Sequence, residues 1–86
     1  MPIVSNFYGI VIYFFFREHN PPHFHAKYNE FEALINIKTL EITEGKLPKK
    51  AQSLVLEWAV EHQEELLLNW ELCQKGEQPN KIEPLN

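Results

Sequence analysis

One cysteine in 86 residues, Cys73, allows no internal disulfide and no cysteine-built zinc site, which removes the small disulfide-scaffold class. No apolar stretch reaches the ~18 residues that a membrane-spanning helix requires. The opening Met1-Pro2-Ile3-Val4 lacks the basic start and cleavable apolar segment of an export signal, so the expectation is a cytoplasmic protein with a reduced thiol. Cations are scarce: eight Lys and Arg against twelve Asp and Glu leave a formal charge of −4. Only Lys46, Lys49 and Lys50 cluster, short of the dense basic face that counterion release exploits. Nucleic-acid binding is therefore not expected.

What is present argues for a folded chain. Hydrophobic residues make up 44% and aromatics 13%, enough to build a core, and the length corresponds to a single small domain over residues 1–86. The charge is uneven. Residues 1–50 carry six cations against five acids, whereas 51–86 carry two against seven. The acidity belongs to the second half, where it marks a solvated face.

The first half, residues 1–45, reads as a sheet. Gly9 to Phe16 is β-branched and aromatic on both alternating faces, the pattern of a strand covered on both sides. Asn20-Pro21-Pro22 breaks it. His23–Tyr28 and Phe31–Ile37 then alternate around Asn29-Glu30, a two-residue hairpin loop. Opposing Tyr28 with Phe31 puts Ala26 against Ala33 and Phe24 against Ile35 on one apolar face. The other face then pairs Lys27 with Glu32, His25 with Leu34 and His23 with Asn36. Leu40–Thr43 supplies a short edge strand.

Residues 46–76 read as one long helix, Pro48 to Lys75, opened by a proline at its first turn and closed by Gly76 with Pro79 beyond. At roughly 100° per residue, Ala51, Val55, Trp58, Ala59, His62, Leu66, Trp70 and Cys73 form one stripe that should pack on the sheet. Within it His62 reads as a core or boundary residue and Cys73 as a structural thiol. Glu57, Glu61, Glu64 and Glu71 form the wet face. Leu56, Val60 and Leu67 lie outside the stripe and suggest a ligand or partner surface. The tail, 77–86, can lie back on the body through Ile82 and Leu85. The fold class expected is thus α+β: an antiparallel sheet of three to four strands, then one long C-terminal helix packed on one face. One helix leaves the other sheet face bare, which points to a second copy (a homodimer) or a small protein partner.

The chemistry sits in a histidine segment. Three of four histidines, His19, His23 and His25, fall within seven residues. On a strand His23 and His25 project from one face, roughly 7 Å apart at Cα, and the stiff Pro21-Pro22 loop can hold His19 close by. Three imidazoles with an open position suit a divalent metal such as zinc. Two other readings stand beside it. The rings can be half-buried sheet-face groups bonded to Glu18, Asn36 or backbone. Alternatively they can serve as acid and base, with Lys27 nearby, in a small hydrolase such as a ribonuclease.

The opening Ser5-Asn6-Phe7-Tyr8-Gly9-Ile10-Val11-Ile12, the string His19-Asn20-Pro21-Pro22-His23-Phe24-His25-Ala26, Gly45-Lys46-Leu47-Pro48, Leu56-Glu57-Trp58-Ala59 and Asn69-Trp70 together resemble the small bacterial proteins of domain-of-unknown-function family 4160. The resemblance covers nearly the whole chain. It implies no assigned activity and no catalytic residue. Members are often encoded beside another short protein in a toxin–antitoxin-like arrangement, so the resemblance implies a protein partner.

Overall fold

The computed structural model describes residues 1–86. Five strands, β1 (Ile3–Phe7), β2 (Ile10–Tyr13), β3 (His23–Tyr28), β4 (Phe31–Asn36) and β5 (Ile42–Gly45), form an antiparallel meander in chain order. Two helices follow, α1 (Lys49–Glu61) and α2 (Gln63–Gln74). The α+β class is as the sequence suggests; the count of strands and helices is not.

The central hairpin pairs residue for residue as the alternation predicts, from Tyr28 opposite Phe31 to His23 opposite Asn36. Phe24 and Ala26 lie on the core face with Ala33 and Ile35, all at most 1% exposed. Asn29 takes the left-handed conformation (φ 53°) that its side chain tolerates.

The extra strand is β1. Its residues do not alternate, because the register shifts between Ile3 and Ser5. Val4 and Ser5 are consequently both buried, and a bulge of this kind hides a strand from a period-2 reading. Tyr8 and Gly9, both at positive φ (52° and 80°), make the tight turn into β2. The expected Gly9–Phe16 strand is also corrected. Pairing ends at Tyr13, Phe14 drops into the core fully buried, and Phe15 and Phe16 are 41% and 37% exposed. The last strand starts later than Leu40. Asn36 Oδ1 accepts the backbone N–H groups of Lys38 and Thr39 at 2.8 and 3.0 Å, winding a side-chain-capped turn that leaves Leu40 at φ 60°.

The single expected helix is two. His62 leaves helical geometry (φ −126°, ψ 22°), its N–H reaching back only to Ala59 O at 3.0 Å. Gln63 Nε2 donates to Ile37 O at 2.8 Å, which ties the break to the β4–β5 loop. His62 Nδ1 lies 2.5 Å from Glu65 Oε1, and Glu64 and Glu65 occupy the first turn of α2, where negative charge suits the helix dipole. The predicted stripe survives because both helices keep it on one side: Ala51, Val55, Trp58 and Ala59 from α1 are buried, as are Leu66, Trp70 and Cys73 from α2, with His62 at the boundary. Gly76 (φ 78°) ends α2 as expected. Gly76 N–H bonds Cys73 O at 3.0 Å and Glu77 N–H bonds Leu72 O at 2.9 Å, the paired bonds of a Schellman cap.

A 19-residue core joins the sheet to both helices. Trp58 sits at its centre, fully buried, with its ring 5.3 Å from Phe7 and 6.1 Å from Phe24. The tail packs back as predicted. Ile82 is 4% exposed, its N–H bonds Val4 O at 2.9 Å, and Trp58 Nε1 donates to Glu83 O at 2.7 Å. The side chain of Asn69 accepts from Asn80 N and donates to Asn80 O at 2.8 and 2.9 Å. The tail therefore covers the outer edge of β1, a backbone edge otherwise open to pairing with another chain.

Candidate functional site

The face of the sheet opposite Phe24 and Ala26 carries His23 and His25, two residues apart on β3, with Tyr13 opposite His25 on β2. The segment after Phe14, residues 15–22, then folds over that face. Arg17 turns the chain at φ 56°, and a cis peptide joins Asn20 to Pro21. The end of α2 fixes the loop: Arg17 N–H donates to Cys73 O at 3.2 Å, and Gln74 Nε2 donates to Glu18 O at 2.9 Å. The Arg17 guanidinium lies over Gly76, where a Cβ would come within 2.5 Å of Nη2. Glycine there serves both the cap and this contact.

Held this way, the Glu18 carboxylate meets both histidines. Its Oε1 is 3.1 Å from His23 Nε2 and 2.8 Å from His25 Nε2. On the other side of the His23 ring, Nδ1 is 2.9 Å from Pro21 O. A carbonyl only accepts, so Nδ1 carries the proton. Nε2 then meets the carboxylate oxygen either as the N–H donor of an imidazolium or as a lone pair with a cation between them. The ligand atoms of Glu18, His23 and His25 all lie within 4.8 Å of one another.

Aromatic rings fix the histidines. Tyr13 stacks on His25 with centroids 4.9 Å apart and planes 15° from parallel, and Phe15 meets the same ring edge-on at 4.9 Å. Trp70 of α2 lies 5.0 Å from the His23 ring. As a result His23 and His25 are only 8% and 6% exposed. The sheet face expected to be bare is, around the histidines, covered by the chain's own loop. Tyr13 OH donates to Glu32 Oε1 at 3.2 Å, and the phenol is pushed up to about 12, by burial first and by the charges of Glu32 and Glu18 after it. Burial, with Glu18 nearby, also raises the Cys73 thiol, consistent with an unreactive structural role.

His19 is exposed and is not part of the converging set, although it lines the same cleft, a cavity of about 700 Å³. Glu18, its neighbour, is the third converging group. Sequence reasoning counts Glu18 only as a hydrogen-bond partner, since spacing alone cannot say which of two adjacent loop residues turns inward. Away from this site, Val60 is 61% exposed, whereas Leu56 and Leu67 pack partly against the core. No helix is long and apolar enough to cross a membrane.

Residues 9–71 match the model of the domain-of-unknown-function family DUF4160. The chain belongs to the DUF4160 family. The matched segment runs from β2 into α2 and contains Glu18, His23 and His25, while β1 and the tail that pairs with it lie outside. DUF4160 membership brings no assigned chemistry. No curated protein and no solved structure gives a significant match.

Proposed function

We propose that the chain is a small binding module built around a divalent transition-metal site, with Glu18, His23 and His25 as ligands. The observation that carries this reading is the convergence of two imidazole nitrogens on one carboxylate oxygen, at 2.8 and 3.1 Å. Ligands about 2.1 Å from a metal sit roughly 3.0 Å apart at right angles and roughly 3.4 Å apart in a tetrahedron. The two contacts to Glu18 lie near that range, and all three ligand atoms fall within 4.8 Å of one another. The His23 Nδ1–H bond to Pro21 O supports the same reading, because such a bond presents Nε2 for coordination. Two imidazoles and one carboxylate favour zinc, nickel, cobalt or iron over magnesium and calcium.

Three protein ligands leave coordination positions free. That count keeps a metal-assisted hydrolase, a small toxin ribonuclease included, as the second reading. For acid–base catalysis by the histidines alone, His23 has both ring nitrogens engaged, by Pro21 O and by Glu18, which leaves only His25 Nδ1 without a protein partner. The module reading extends to a partner, either a second copy or a small protein encoded alongside, docking on the helix surface around Leu56, Val60 and Leu67.

The test is elemental analysis of protein purified without a histidine tag, in parallel with His23→Ala. Stoichiometric metal that is lost in the variant supports the proposal. Wild-type protein that stays metal-free after incubation with zinc, nickel, cobalt or iron(II) refutes it.

A further inference from the structure

We propose that the cleft beside the metal site takes a small phosphate-type oxyanion, bridging the metal and the Arg17 guanidinium. This inference rests on the metal reading and names the ligand class of its open positions. Eight of the ten residues lining the cleft are polar or charged, with Pro21 and Leu34 the exceptions, so the space offers several hydrogen-bonding groups to a hydrated ligand. The donors stand on two sides. Arg17, His19 and Asn20 come from the loop that supplies Glu18, and Thr43 comes from β5 across the cleft.

Arg17 supplies the cation on this wall of the cleft. Its backbone N–H is held by Cys73 O, and its exposed side chain lies with the guanidinium against Gly76 at the end of α2, in no ion pair with the protein's own acids. A planar guanidinium fork matches an oxyanion in charge and geometry. A divalent ion with Glu18 as its one anionic ligand leaves a local excess of positive charge. Arg17 adds to that excess, and Glu44 on the β5 wall is the one opposing acid in the cleft besides Glu18. The same arithmetic over the whole chain selects small ligands. With −4 overall, and two cations against seven acids in residues 51–86, a polyanion such as a nucleic acid is repelled, whereas a single phosphate group meets only the cleft.

Cobalt(II)-loaded protein provides the test. Its visible absorption is recorded first, then followed during titration with inorganic phosphate and, separately, phenyl phosphate, with chloride at matched ionic strength as control. A saturable spectral change with either phosphate and none with chloride is expected; a response to phenyl phosphate alone identifies a monoester as the occupant. In Arg17→Gln the phosphate affinity falls roughly 10- to 100-fold, the range for losing a hydrogen bond to a charged group, while Lys50→Gln leaves it unchanged. His19→Gln, at an exposed position, gives a smaller loss and guards against misfolding of the Arg17 variant. Failure to take up cobalt overturns the metal reading itself. Cobalt uptake without a phosphate response, or equal phosphate affinity in both cleft variants, overturns this inference alone.

Discussion

Glu18 and His25 stand seven positions apart in the chain, yet Glu18 Oε1 and His25 Nε2 are 2.8 Å apart on the outer face of the sheet. The contact depends on two distant supports: the end of α2, which holds the Glu18 backbone through Gln74, and the Tyr13 and Phe15 rings, which hold the imidazole. Each support makes a separate prediction.

Phe15 is 41% exposed, so removing its ring costs little core packing but frees the His25 ring. Phe15→Ala should weaken zinc affinity roughly 10-fold, the lower end of effects from residues that orient metal ligands, with a melting temperature close to wild type. Phe15→Tyr should restore the affinity. Competition with a chromophoric chelator measures both.

Tyr13 titrates late. In metal-free protein, the Tyr13 step of the ultraviolet phenolate band should be absent until about pH 12. Since the folded value lies above that of the unfolded chain, the fold holds the proton more tightly than the coil does. Stability therefore falls as pH rises from about 10 through 12. Tyr13→Phe should lose the late step and flatten this part of the stability profile.

The Cys73 thiol is fully buried and its ionisation is suppressed by burial and by Glu18. Alkylation by iodoacetamide at pH 8 should be at least ~10-fold slower in the folded protein than in urea. Equal rates would show that the end of α2 opens readily, removing the fixed support on which Glu18 depends.

The tail is structural. Ile82→Ala should destabilise the fold by about 2–4 kcal/mol, the usual cost of emptying a buried aliphatic site. Asn69→Ala should cost about 1–3 kcal/mol by leaving the Asn80 backbone unpaired. Urea denaturation measures both, and Leu68→Ala, at a 48% exposed position, should change little.

The central hairpin was legible because two independent signals agreed, the apolar pairing of Phe24 with Ile35 and the charge pairing of Lys27 with Glu32. Strand β1 was not, since a bulge at Val4 breaks the alternation that would reveal it. Nor was the break at His62. Neither glycine nor proline marks it, and the contact that anchors it, the Gln63 bond to Ile37 O, joins residues far apart in sequence. Phe14-Phe15-Phe16 reads as strand by composition but divides three ways: one ring to the core, one to His25, one outward. At the site the two histidines on β3 were readable from their i, i+2 spacing. Their partner was not, because choosing between Glu18 and His19 depends on how the loop is tied to α2.

The most direct test of the account is calorimetric titration of zinc into metal-free, untagged protein, repeated with Glu18→Gln, which keeps the shape of the side chain and removes its charge. The account predicts one site per chain, with affinity reduced at least ~10-fold in Glu18→Gln and no effect of His19→Gln. Binding that is absent from wild type, or that depends on His19 and ignores Glu18, would contradict it.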